Sequence, residues 1–151
     1  MISRALILLG RLAVLIIVTV LGWLATGSPW IFLFTGLLFV AALPALFVPQ
    51  PPVLAPIGRA AEVIITCVGA DFAIRYAHPG MFAPAGAAAG AMLPYLMVPP
   101  VAAALRRRRL EMAWLLALSA VGLVVVGLID NRISDRGYVT EAIEWLLLAA
   151  I

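Results

Sequence analysis

Lysine is absent from this chain, cysteine and histidine occur once each, and only 11% of the 151 residues are charged. Each shortage removes a class of function. A soluble domain carries about 25% charged residues, so a water-facing surface cannot be built here and lipid must cover most of the exterior. A lone cysteine, Cys67, supports neither a disulfide framework nor a thiolate metal site. It lies in an apolar run and reads as a small buried hydrophobe. The lone histidine, His78, has no second histidine or cysteine with which to share a metal. No nucleophile–base constellation, phosphate loop or metal-ligand spacing occurs. We therefore expect no catalytic centre, no metal and no cofactor in this chain.

What the chain has in abundance is apolar sequence. Hydrophobic residues make up 66% of it, with a mean hydropathy of +1.18. A membrane-crossing helix needs about 20 such residues, because the hydrocarbon core is roughly 30 Å thick and each residue rises about 1.5 Å. Six stretches qualify or nearly qualify: 5–26, 30–48, 54–76, 81–105, 110–129 and 139–151. The expected fold class is all-α, a polytopic helical membrane protein of about six transmembrane helices forming one domain. The first stretch is longer than the roughly 7–15 residues of a signal-peptide core, and no cleavage site follows it cleanly, so it reads as a retained span. Gly27-Ser28-Pro29 makes a tight turn, with Trp23 and Trp30 at the level of an aromatic belt. Pro44 is expected to kink the inner end of the second span, and Pro49 to Pro52 forms a stiff loop. Pro84, Pro94, Pro99 and Pro100 make the fourth span kinked or broken. The sixth stretch has 13 residues. As a helix it reaches only about 20 Å, so it is read first as an incomplete span of a longer protein, with an interfacial helix that starts at Glu141 and Glu144 as the alternative.

The ten basic residues, all arginine, orient these spans. Arg4, Arg11, Arg59 and the run Arg106, Arg107, Arg108 and Arg109 fall on one side, and Arg75, Arg132 and Arg136 on the other. Arginine-rich loops stay cytoplasmic because they are costly to translocate. Both ends are therefore expected in the cytoplasm, in the plasma membrane, with Arg11 snorkelling back to the interface. The net charge of +3 is topological, because the arginines flank apolar spans and form no polar face for nucleic acid.

Charged and polar groups within the spans are candidates for ligand binding or sensing. Asp71 and Arg75 stand i,i+4 with the acid first, the favourable order for a helical ion pair. They are either a sensing pair or a pair that neutralises two interfacial charges. Arg59 and Glu62 stand i,i+3 at the other end of the same helix. Glu62 and Asp71 are nine residues apart, about half a turn out of phase, so a two-carboxylate relay between them is disfavoured. His78, in the loop beyond, titrates near neutral pH if solvated. Tyr95 sits among the prolines of the fourth span, which marks a hinge or pocket. Gly86 and Gly90 form a GxxxG suited to close helix packing, within the chain or in a homodimer.

The segment 58–109 resembles the membrane input region of actinobacterial sensor histidine kinases, which carry several N-terminal spans followed by cytoplasmic GAF and kinase domains. The likeness rests on Arg59-Ala-Ala-Glu62, Gly69-Ala-Asp71, Met92-Leu-Pro-Tyr-Leu-Met-Val-Pro99 and Ala102-Ala-Ala-Leu-Arg106. The resemblance implies a membrane sensory module that signals to a downstream kinase and its cognate response regulator. The phosphoacceptor histidine box, ATP-binding motifs and GAF domain of that family are not in these 151 residues. A stand-alone transporter or channel subunit, or a structural subunit of a larger membrane complex, are the alternative expectations.

Overall fold

The computed structural model describes residues 4–45, 53–77, 91–105 and 109–150. Among them the chain is all-helical. Helix α1 spans Arg4–Thr26, α2 Trp30–Ala42, α3 Leu54–Arg75, α4 Val98–Ala104, α5 Arg109–Ile129 and α6 Arg136–Ala150. Short 3-10 turns lie at Leu43–Ala45, directly after α2, and at Leu93–Met97, directly before α4.

At the two connections that lie wholly among the described residues, α1 to α2 and α5 to α6, the reason for the chain's reversal is local. Gly27 leaves α1 with a φ of 60°, a left-handed backbone that glycine adopts without a Cβ penalty, so α2 folds back on α1. At the end of α5, Asn131 takes the same conformation at φ 53°. The Arg132 amide then donates to the Gly127 carbonyl at 2.7 Å and the Asn131 amide to Leu128 at 3.2 Å. These two bonds are a Schellman closure of the helix. Asp135 starts α6 by accepting the Gly137 amide at 3.0 Å. The Tyr138 ring then lies over Gly127, where a Cβ would come within 2.8 Å of it, and its hydroxyl donates to the Leu123 carbonyl at 2.5 Å.

Helix α3 is the centre of the bundle and packs against both α2 and α5. Its buried positions, Ala55, Gly58, Arg59, Glu62, Val63, Thr66, Cys67, Gly69, Ala70, Ala73 and Ile74, recur every three or four residues as one stripe. The stripe is mostly small, and this permits close approach. A Cβ on Gly58 would sit 2.5 Å from the Ala41 carbonyl oxygen of α2, and one on Gly122 of α5 would sit 2.6 Å from the Cys67 sulfur. The apolar core contains Val18, Ile31, Leu38, Met92, Leu93, Leu96, Leu115 and Leu123. Cys67 is buried and free, packed as a hydrophobe.

Two helices are long and apolar enough to cross a membrane, Leu9–Thr26 within α1 and Arg109–Ile129. The other expected spans fall short for separate reasons. Helix α2 is 13 residues long, and the 3-10 turn at Leu43–Ala45 follows it where Pro44 was expected to kink the chain. Helix α3 has 22 residues, but its charges lower its hydropathy. The fourth stretch is broken, as its prolines require: Pro94 opens the 3-10 turn, and Pro99 and Pro100 open the seven-residue α4. Helix α6 begins at Arg136, three residues ahead of the expected 139, because Asp135 caps it.

Burial is partly inverted relative to a water-soluble protein. Ile16, Val20, Phe32, Val40, Val121, Val124 and Leu128 are all more than half exposed, whereas Arg11, Arg59, Glu62, Glu111, Thr66 and Ser119 are buried. The helix hydroxyls of Thr19, Thr26, Thr35, Thr66 and Ser119 each donate to the carbonyl four residues back, at 2.7–3.1 Å. That bond satisfies a hydroxyl where no water is at hand.

The Gly58 contact yields a prediction. Gly58→Ala sets a methyl group against the α2 backbone, which cannot yield as a side chain can. The variant should lower thermal stability in detergent by about 1–3 kcal/mol. Gly36→Ala, with nothing within 4 Å of its added Cβ, should lose none.

Candidate functional site: a buried charge network across three helices

The N-terminal halves of α1, α3 and α5 meet through charges that each turns inward. From α1, Arg11 donates to both carboxylate oxygens of Glu62, at 3.3 and 3.5 Å. From α3, Arg59 donates through Nε to Glu111 Oε1 of α5 at 2.5 Å. All four side chains are at least nine-tenths buried, and Arg59 and Glu62 are 1% and 0% exposed. Two arginines and two glutamates make the cluster neutral, so no net charge is carried into the core. Helix α3 contributes one residue of each sign, and each of them reaches a different neighbouring helix.

The Arg59 guanidinium is incompletely used. Its Nη2 also lies 2.5 Å from Glu111 Oε1, but is not directed along a hydrogen bond. Nη1 and Nη2 are both buried without a hydrogen-bond acceptor. A buried donor left unmet costs about 1–3 kcal/mol, more when it is charged. The arginine therefore holds spare hydrogen-bonding capacity inside the bundle, one helical turn from Glu62 on its own helix.

A second cluster lies at the opposite end of α3. Arg75 Nη2 donates to Asp71 Oδ1 at 3.0 Å, and Arg75 Nε stands 3.2 Å from Asp130 Oδ1, in the turn between α5 and α6. Arg132 and Asp135 pair within that turn at 3.6 Å. Arg75 is about half exposed, whereas the Asp130 side chain is 9% exposed. Burial, and then the facing Asp71 carboxyl, push the Asp130 carboxyl above the ordinary aspartate range, against the pull of Arg75 and Arg132.

The sequence-derived candidates are distributed as follows. Asp71 and Arg75 meet, as their spacing implies, and gain a third member in Asp130. Glu62 is in the buried network, paired across helices rather than with Arg59. Tyr95 is 1% exposed in the Leu93–Met97 turn, within electrostatic reach of Glu62 and Arg11. The expectation that Arg11 snorkels to the interface is corrected: it is 8% exposed and turned inward, because Glu62 offers it a partner that lipid does not. Arg109 is exposed at the start of α5. His78, Gly86, Gly90, Arg106, Arg107 and Arg108 lie outside the described residues. Among the described residues no three His, Cys, Asp or Glu side chains gather as metal ligands. Glu111 and Asp130 were not singled out from the sequence. The available signal was depth: Arg11, Arg59, Glu62 and Glu111 all fall in the first half of their stretches, which are alternate ones along the chain.

The pairing predicts a characteristic pattern of destabilisation. Arg11→Met leaves the fully buried Glu62 carboxyl without its partner and should cost about 3–5 kcal/mol, as removal of one partner of a buried pair does. Arg11→Met combined with Glu62→Leu should cost clearly less than the sum of the two single changes, measured by thermal unfolding in one detergent. Additive losses would mean that the two groups do not interact.

No protein-family model matches the chain, and no curated protein and no solved structure matches it.

Proposed function

We propose that the chain is a multi-pass helical domain of the plasma membrane with both ends in the cytoplasm. We propose further that it serves as the sensory input module of a two-component sensor histidine kinase. Support for the membrane setting comes from the two long apolar helices, the apolar exterior and the inward-facing charges. Kinase activity would then reside in a following cytoplasmic region, with a cognate response regulator as partner, and this chain would itself catalyse nothing.

The observation that carries the signalling reading is the Arg59 guanidinium. It is bonded to Glu111 of α5 through Nε, with Nη1 buried and without an acceptor, while Glu62, bonded to α1, lies one turn away. An exchange of partners among these four charges would shift α3 against α1 and α5 without leaving any of them unpaired. Packed networks of this kind have discrete arrangements, as a switch requires. A stimulus could bias them only by binding the two arrangements with different affinity.

A second reading is favoured by the broken fourth stretch. The Leu93–Met97 turn packs against α1 and α3, with Tyr95 near the charge network. An interrupted helix beside buried charges is also the pattern of a transport site.

Two experiments test these readings. In a Cys67→Ser background, a cysteine at Ser134 should react with a membrane-impermeant maleimide in intact cells, and one at Gln50 only after permeabilisation; the reverse pattern overturns the topology. Reading the gene beyond the Ile151 codon should reveal an open frame that enters a histidine-kinase region. A stop codon there would overturn the kinase reading. Solute flux in liposomes that is lost in Glu62→Gln would then favour the transporter.

A further inference from the structure

The Asp71–Arg75–Asp130 cluster does more than neutralise charge. Its two carboxylates come from different elements, Asp71 from α3 and Asp130 from the turn that leads into α6. One guanidinium serves both, at 3.0 Å from Asp71 Oδ1 and 3.2 Å from Asp130 Oδ1. The second oxygen of Asp130, Oδ2, is buried and accepts nothing. This is an unusual place for an ionised group, since a carboxylate in a nine-tenths buried setting needs donors on both oxygens.

The charged groups around Asp130 are Asp71 and Arg75 on α3, Arg132 and Asp135 in its own turn, and the phenol of Tyr138 on α6. Two arginines stand against three aspartates, so with all of them ionised the cluster carries one negative charge more than it has cations to meet. Asp135 is paired with Arg132 and caps α6, and Arg75 is shared. The group missing from the inventory is a donor between Asp71 and Asp130, and a proton supplies one.

We propose that Asp71 and Asp130 form a proton-binding pair, in which one shared proton bridges the two carboxyls and fastens the α5–α6 turn to α3. Protonation turns the unmet Asp130 oxygen into an O–H that donates to Asp71, while Arg75 remains on the Asp71 carboxylate. No bond other than O–H forms or breaks, and the proton comes from the solvent that reaches the half-exposed Arg75. The sign follows from burial. A carboxyl that binds its proton more tightly in the docked turn than in free solution favours docking as pH falls. The gain is complete below the free aspartate pKa and is lost as pH rises through the docked value. Mild acidification therefore tightens this end of the bundle, and with it the seat of Tyr138 on α5. Proton uptake requires only this junction, with or without a downstream kinase.

Infrared difference spectroscopy on the full chain in phosphatidylcholine vesicles, titrated from about pH 7.5 to about pH 4, reads the pair directly. Wild type should show, within the protonated-carboxyl band, a component with a midpoint above the ordinary aspartate value of about 3.9 that is missing from the Asp130→Asn titration. Asp71→Asn removes the neighbouring negative charge and should move the midpoint down by about one pH unit; Arg75→Met removes the competing cation and should move it up. These opposite shifts are read on Asp130 itself, so they remain informative if Asp130→Asn does not fold. A band indifferent to Asp71→Asn, or moved the same way by both changes, would overturn the shared proton. Spin labels at cysteines replacing Tyr76 and Ser134, in a Cys67→Ser background, should give a narrower distance distribution at the acid end. An unchanged distribution would overturn the tightening.

Discussion

The fold depends on the requirement that a charge taken into an apolar bundle must meet its opposite there. Arg11, Arg59, Glu62 and Glu111 are buried together, and each finds its partner on another helix. This fixes α1, α3 and α5 at one level and in one direction. Apolar packing alone is non-directional and would allow these helices to slide past one another. The small-residue stripe of α3 follows from the same demand. Only a helix that approaches its neighbours closely lets side chains as short as glutamate reach across, and between α3 and α5 Gly122 against Cys67 provides that approach.

The opposite end of the bundle is held differently. There the chain uses turn chemistry, with Asn131 in the left-handed region, a capped α6 and a tyrosine laid across a glycine, and one partly solvated arginine shared between two acids. The buried quartet is neutral, whereas the Asp71–Arg75–Asp130 group with its neighbours carries an excess carboxylate. An input domain needs one end that resists change and one that responds to its surroundings. This division of labour is consistent with the sensory reading, and a transporter would use it equally well.

Much of this was legible in the sequence because it follows from short-range rules. Hydropathy marks where the helices lie, and proline explains why the fourth stretch breaks at Leu93–Ala104. The i,i+4 spacing of Asp71 and Arg75 is a geometric property of any helix, so their contact needed no tertiary knowledge. The i,i+3 spacing of Arg59 and Glu62 was a weaker guide. Both residues had better partners on other helices, and no local rule ranks a neighbour one turn away against one 52 positions along the chain. Arg11 was misread for the same reason: an arginine near a helix end snorkels by default, and only the presence of Glu62 at its level turns it inward.

By itself, then, the sequence determined an all-helical chain with an apolar exterior, the approximate places of most of its helices, and the uneven placement of its arginines. These are sums of local free energies: transfer of side chains from water, backbone propensity and the cost of moving arginine across a membrane. Only the tertiary structure decided which charges meet. It joined Arg11 to Glu62, Arg59 to Glu111 and Asp130 to the Asp71–Arg75 pair, because ion pairing depends on distances of a few ångströms between helices far apart in the chain.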